Sequence, residues 1–583
     1  MPAQRRALVA LAATALVAGS LIVPSAPTSA APAATTTDTY LVLASDAGSV
    51  EAASAAVSAS GGQVVDVIDE IGAVIAVSDR ADFASTADSQ VGVAGVASNR
   101  VVGSLPKVDA VNAEVRAEVD AAAAAVRDHD DGDDSQSEPL ADLQWDMRMI
   151  HATPDGSYDE QPGRKGVLVG VLDSGIDGAH PDIAPNFNES LSRNFVTDIP
   201  DIDGPCEDPS CVDPVNQDDS GHGTHVAGEI GSPINGIGMA GVAPNVTLVN
   251  IRVGQDSGYI FLEPAVKALV YAGEIGIDVI NMSFFIDPWL YNCQANPDDS
   301  PEEQLEQQTI VAATQRALDF AHRRGVTLVA ALGNEHSDLG NPPLDNVSPD
   351  YPPETEKART IDNATCLVMP TEANHVISVS SLGPSERKAD YSNYGLEQTD
   401  VSAPGGWFRD GLGTPQFRTA GNLVLGPMPH HLALESELVD LVSGESLDNF
   451  IISQCSAPGP ENCAYWQFLQ GTSMASPHAA GVAALIVSEF GKRDRHNGGL
   501  KMDPDKVERI LRRTATDHAC PDPPTFSYVD VGRSPSFDAT CVGDAERNGF
   551  YGDGIVDALS AVDDDHHGRD DHHSRDDHHG HDD

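Results

Sequence analysis

Three short stretches carry side chains that could make and break an acyl bond. Asp173-Ser174-Gly175 follows an apolar run, Gly221-His222-Gly223-Thr224-His225 opens one helical stretch, and Gly471-Thr472-Ser473-Met474-Ala475-Ser476-Pro477-His478 opens another. A serine hydroxyl is a weak nucleophile at neutral pH until an adjacent base takes its proton. A carboxylate that fixes the imidazole tautomer completes such a set. The chain order here is acid, base, nucleophile. Each fragment alone is a weak signal. D-S-G recurs at Asp219 and Asp256, the pattern a two-carboxylate aspartic protease would need. Those copies follow polar residues rather than an apolar strand, which disfavours that chemistry.

Elements able to hold such residues recur along the chain. Residues 167–172 form an apolar run containing Gly, as expected of a strand buried on both faces. Residues 246–253, 278–283, 326–332 and 376–380 repeat the type, and 305–324 has helical periodicity ending at Gly325. This alternation predicts an α/β domain with a parallel β-sheet flanked by helices over residues 140–562. Active sites of such sheets lie beyond the carboxyl ends of the strands. Residues 39–106 read as a small α+β unit: a strand at 39–44, a helix at 48–58, a Gly61-Gly62 turn leading into a second strand, and a third strand at 73–77. The acidic run from Asp128 to Asp134 reads as an exposed linker.

The three blocks, D-S-G, H-G-T-H-V-A-G and G-T-S-M-A-S-P-H, resemble those of subtilisin-like (subtilase) serine proteases. Ala330-Ala331-Leu332-Gly333-Asn334 and Tyr551-Gly552-Asp553-Gly554-Ile555-Val556-Asp557-Ala558 resemble two further family segments. The resemblance implies a serine endopeptidase acting on protein or peptide substrates, with Asp173, His222 and Ser473 as the triad. It gives Asn334 the oxyanion hole, shared with the Ser473 backbone N–H. It also implies that residues 31–139 form a propeptide, acting as inhibitor and folding chaperone until its removal.

Other expectations follow the same likeness. Asp182 matches a calcium-binding carboxylate, Asn235 falls on a ligand position of a loop at 235–244, and Gln144 supplies a third side chain. Structural Ca²⁺ is thus expected, against a metal-free Gly-rich turn. His225 and His478 read as packing and hydrogen-bonding partners. Where relatives carry Leu-Gly-Gly after Asn-Met-Ser, Ser283 is followed by Phe284, Phe285 and Ile286. That strand lines the substrate groove in the family. The added bulk allows a restricted small-residue pocket, a rearranged groove, or an occluded, non-catalytic binding protein on the same fold. Insertions are expected near 287–304 and 407–468 as lids or binding loops.

Arg5 and Arg6, the apolar stretch from Ala7 to Val23 and small residues to Ala30 form a signal-peptide pattern at 1–30. A secreted, extracellular protein is expected, with no membrane attachment after signal removal. Eight cysteines suit an oxidising compartment; of 105 connectivities, nearest-neighbour pairing is preferred: Cys206 with Cys211, Cys293 with Cys366, Cys455 with Cys463, Cys520 with Cys541. The 563–583 tail repeats an Asp/His-rich unit, read either as a weak transition-metal binder or as a solvated, disordered segment. The formal charge is −55, from 34 Lys+Arg against 89 Asp+Glu. Phosphate-backbone binding rests on Lys and Arg, so nucleic-acid binding is excluded. The acidity belongs mainly to residues 140–562, with 25 basic against 61 acidic side chains.

Overall fold

The computed structural model describes residues 38–46, 49–98, 138–200, 202–286, 288–342, 344–350, 355–494 and 499–563. The expected signal peptide, most of the linker before residue 138 and the Asp/His tail beyond Asp563 lie outside the described residues.

The first unit contains β1 (Asp38–Ala44), α1 (Val50–Ala59), β2 (Gln63–Ile68), β3 (Ala73–Ser78), α2 (Phe83–Asp88) and β4 (Val93–Ser98). Its strands form one antiparallel sheet in the order β2-β3-β1-β4. One face closes over α1 and α2 through Tyr40, Val42, Val57, Val74 and Phe83. The sequence had suggested three strands; β4, rich in small residues, is the fourth.

The main sheet has seven strands, all parallel. They are β5 (Leu168–Leu172), β6 (Arg193–Asn194), β7 (Thr247–Arg252), β8 (Val279–Met282), β10 (Thr327–Ala331), β12 (Val376–Leu382) and β13 (Val401–Pro404). Two two-residue strands, β9 (Asn292–Cys293) and β11 (Cys366–Leu367), pair with each other outside it. The spatial order is β13-β12-β10-β8-β5-β7-β6. Alternate residues feed two cores, as a two-residue side-chain period requires. Val169, Val171, Val279, Val329 and Val379 face one core, while Leu172, Ile280, Met282, Leu328 and Ala330 face the other.

The short helix α3 (Trp145–Met149) precedes the sheet, and the first core is covered by α4 (His222–Gly231), α8 (Thr472–Phe490) and α9 (Pro504–Thr514). The second is covered by α5 (Leu262–Ile275) and α6 (Pro301–Arg324). Helix α6 starts four residues before the periodicity at 305–324, at a cap that the sequence reading did not use. Ser300 and Glu303 form a reciprocal capping box, Pro301 occupies the first turn, and Gly325 ends the helix at φ 98°. The first unit sits on these two helices: Leu41, Ile68, Ile75 and Ala97 join their core, Lys267 pairs with Asp66 at 2.6 Å, and Arg316 donates to the Ala44 and Ile71 carbonyls.

The longer insertion is a small sheet of its own. β14 (Val424–Met428), β15 (Ile451–Cys455) and β16 (Cys463–Leu469) pair antiparallel with β16 central, and α7 (His430–Glu435) follows β14. The shorter one is closed by Cys293–Cys366. All four disulfides join the nearest-neighbour cysteines. Among the described residues, no helix is long and apolar enough to cross a membrane.

Candidate active site

Asp173 follows β5 directly, Ser283 follows β8, and Asn334 lies just beyond β10. These are neighbouring strands, so their carboxyl ends deliver all three residues to one edge of the sheet. His222 is the first residue of α4, entered through Gly221 at φ 83°, a backbone state that favours glycine. Ser473 is the second residue of α8, which packs against α4. Its backbone N–H therefore belongs to the first turn, whose donors have no partner within the helix and attract negative charge.

Asp173 Oδ1 lies 2.7 Å from His222 Nδ1 and accepts from the Ser174 N–H at 2.7 Å. The imidazole thus points its other nitrogen away from the carboxylate. Asp218, not singled out from sequence, braces this corner: one oxygen accepts from Ser174 Oγ and the Gly221 N–H, the other from Thr224 N–H and Oγ1. Asp173 and His222 are both buried, at 0% and 5% exposure, so water does not compete for their contact.

The serine is braced as closely. Pro477 inside α8 has no N–H to offer the Ser473 carbonyl. Ser283 Oγ supplies that missing bond at 3.0 Å, and Ser473 Oγ reaches the Ser283 carbonyl at 3.4 Å. Asn334 Oδ1 accepts from both the N–H (2.9 Å) and the Oγ1 (3.0 Å) of Thr472. This fixes the amide's orientation and leaves its Nδ2 a buried donor with no hydrogen-bond partner among the described residues. A buried donor left unmade is costly unless a substrate oxygen arrives. Thr472 was read only as part of a motif; its hydroxyl is the positioning group that sequence reasoning missed.

His225 and His478 are fully buried and structural, as expected. His225 contacts Glu229 through Nδ1 at 2.6 Å and the Gln467 carbonyl through Nε2. His478 donates from Nδ1 to the Met474 carbonyl, and its Nε2 meets Asp146 at 3.1 Å. Burial pushes His225 down to about 3 and Glu229 well above the usual carboxylate range. The recurring D-S-G aspartates have other partners: Asp219 lies 2.9 Å from His431 and Asp256 lies 2.6 Å from Arg252. Asp173 faces an imidazole and not a second carboxylate, unlike an aspartic-protease dyad.

In the groove, Phe284 is buried in the core shared with α5 and α6. Phe285 is half-buried against the apolar cluster that includes Tyr291, Cys293, Leu332 and Leu339. Leu332 of that cluster is two residues from Asn334.

The expected calcium ligands do not form an ion site. Asp182, Asn235 and Gln144 do converge, but an oxygen of each accepts a backbone N–H of the 236–240 loop, whereas Ca²⁺ needs six to eight oxygens turned toward it. Acidic groups gather elsewhere, at Asp198, Glu207 and Asp213 and at Asp213, Asp219 and Asp256. The buried Arg252 guanidinium offsets these, lying 2.6 Å from Asp213 and from Asp256. Burial raises Asp198 to about 6 and Asp256 to about 7.

Comparison with known proteins agrees with this geometry. The chain is 26% identical to the epidermin leader peptide-processing serine protease EpiP of Staphylococcus epidermidis, over 63% of this chain and 69% of that one. It is 27% identical to subtilisin DY of Bacillus licheniformis, over 69% of this chain and 93% of the relative. The crystal structure of EpiP from Staphylococcus aureus shares the fold, with a TM-score of 0.56 at 21% identity over 90% of this chain and 98% of that one. A profile described as the subtilase family matches residues 164–554, and the chain belongs to that family of serine endopeptidases.

Proposed function

We propose that this endopeptidase is exported as a zymogen and cleaves peptide bonds through Ser473, His222 and Asp173. Support comes chiefly from one arrangement: the Asn334 amide, locked by Thr472, presents an unmatched donor beside the first turn of the helix that carries Ser473. Ser473 Oγ attacks the scissile carbonyl while His222 takes its proton and returns it to the leaving amine. Asp173 holds the ring's tautomer and stabilises the imidazolium. The oxyanion that forms is held by Asn334 Nδ2 and the Ser473 N–H, donors fixed before the reaction begins.

The unit at 38–98 is the folded part of the propeptide, docked on α5 and α6 by apolar surface and by the Lys267 and Arg316 contacts. Its removal exposes the mature start near Glu138. Substrates are proteins or peptides with a small residue on the acyl side of the cut, because Phe285 thickens the wall of the pocket. Ser473→Ala in the full chain tests the core of this reading. The variant should fold, stay in one piece and hydrolyse no peptide, while the wild-type chain cuts itself between residues 98 and 140. Peptide hydrolysis by the variant would overturn the assignment.

A further inference from the structure

Five consecutive backbone N–H groups, from Gly236 to Ala240, each donate to a side-chain oxygen. Gly236 donates to both oxygens of Glu138 (2.8 and 3.1 Å), Ile237 to Asn235 Oδ1 (2.8 Å) and Gly238 to Gln454 Oε1 (2.9 Å). Met239 donates to Asp182 Oδ2 (2.9 Å) and Ala240 to Gln144 Oε1 (3.2 Å). Backbone N–H groups gather carboxylate and amide oxygens, not cations. Asn235, Asp182 and Gln144 thus each commit an oxygen to a backbone donor, where a calcium loop would turn it toward the ion.

The space is also filled. Trp466 Nε1 donates to the same Asp182 Oδ2 at 2.9 Å. A Cβ placed on Gly238 would stand 2.1 Å from that oxygen and 2.2 Å from the indole ring, so no gap separates loop, carboxylate and ring. The acceptors come from two separate parts of the chain. Glu138 and Gln144 belong to the start of the catalytic stretch, where Gln144 also returns a bond from Nε2 to the Ala240 carbonyl (2.8 Å) and the Leu140 N–H meets the Gly238 carbonyl (2.8 Å). Gln454 and Trp466 belong to β15 and β16 of the insertion. Met239 packs into the insertion's own apolar cluster with Phe408, Leu425 and Trp466, and Leu140 and Leu143 border it.

We infer that the 235–240 loop is a metal-independent anchor. The chain's own carboxylates, amides and one indole do here what an oxygen-coordinated cation would do: they pin the start of the catalytic stretch to the loop and to the insertion. Glu138 receives the Gly236 N–H on both carboxylate oxygens, so the anchor closes only when the segment after the linker is seated.

Thermal unfolding of the full chain tests this without relying on proteolysis, with every variant made in the Ser473→Ala background. Midpoints should be the same in EGTA and in millimolar Ca²⁺. Trp466→Phe, which keeps a ring but loses the N–H, and Gln454→Leu should each lower the midpoint by several degrees, and Ca²⁺ should not restore it. A Ca²⁺-induced rise that Asp182→Asn abolishes would overturn the anchor. Should Asp182→Asn not fold, abolition by Asn235→Ala, a change at an exposed loop residue, is equally decisive. A rise that survives these substitutions originates elsewhere and leaves the anchor standing. Unchanged midpoints for both Trp466→Phe and Gln454→Leu would overturn it as well.

Discussion

Thr472 gives the sharpest test of the site, because its hydroxyl bonds Asn334 and the backbone of the residue just before it. Asn334→Ala removes the proposed oxyanion donor itself; in a subtilisin, a relative of this chain, losing one such donor costs about 10²–10³ in kcat. Thr472→Val leaves that donor in place. It deletes the 3.0 Å bond from Oγ1 to Asn334 Oδ1 and the 3.1 Å bond that Oγ1 accepts from the Gly333 N–H, while the 2.9 Å bond from the Thr472 backbone N–H to Asn334 remains. One neutral hydrogen bond is worth about 1 kcal/mol net, which is roughly a fivefold change in rate. Thr472→Val should therefore lower kcat by about five- to tenfold with little change in KM, and Thr472→Ser should restore it. The double variant should be no slower than Asn334→Ala alone, since nothing remains to be positioned. Steady-state kcat and KM on a peptide amide, with thermal midpoints to show intact folding, decide the matter. Multiplicative losses in the double variant would refute the coupling, as would a Thr472→Val loss as large as that of Asn334→Ala.

Phe285→Gly should open the pocket wall and raise cleavage after large apolar residues, relative to alanine, by at least about tenfold, the discrimination expected for a few methylenes; an unchanged peptide-library profile would remove Phe285 from the specificity wall. Asp278 is buried and its pKa is raised to about 8 by that burial, so the folded chain holds a proton that the unfolded chain releases near pH 4. Its stability contribution is full below that pH and is lost as pH rises through 8. Asp278→Asn should flatten the fall in thermal midpoint between pH 4 and 8, and parallel curves for variant and wild type would refute this. Replacing Cys293 and Cys366 together by serine opens a crosslink spanning 73 residues, worth about 4 kcal/mol in a chain-entropy account; urea unfolding should show a loss of that order, and a loss below about 1 kcal/mol would mean that β9 and β11 hold the loop unaided.

The central strands and the residues at their ends were legible because a strand buried on both faces must be continuously apolar. Residues 167–172 and 326–332 admit few other readings, and the chemistry-bearing residues follow them at once. Edge elements were less legible. β13 is Val401-Ser402-Ala403-Pro404, too short and polar to announce itself, and β4 is largely small residues. The role of Thr472 was hidden because its partner lies 138 residues away, and no local period reports such a contact. The 235–240 loop was misread for a related reason. The residue types at 144, 182 and 235 match an oxygen ligand set, but whether their oxygens meet backbone N–H groups depends on backbone angles and on partners such as Gln454 and Trp466, brought in from the far insertion.

That insertion is integral to the domain, and the reason lies in what it touches. Leu432 of α7 stands 3.0 Å, and Pro429 3.3 Å, from where a Cβ on Gly221 would lie, at the entry to the helix that His222 begins. His431 lies 2.9 Å from Asp219, whose carboxylate raises its pKa, and Gln467 accepts from His225 one turn after His222. The same sheet sends Gln454 and Trp466 to the 236–240 loop. One small sheet thus borders both ends of α4: the end that presents the imidazole and the loop that follows its last turn. A helix held at both ends by the same rigid body cannot tilt without breaking the insertion's own packing. Loosening the insertion at Trp466 should therefore reach His222 some distance away, and kcat should fall in Trp466→Phe in proportion to its lost thermal stability. A variant that loses stability but keeps full kcat would show that the two ends of the helix are held independently.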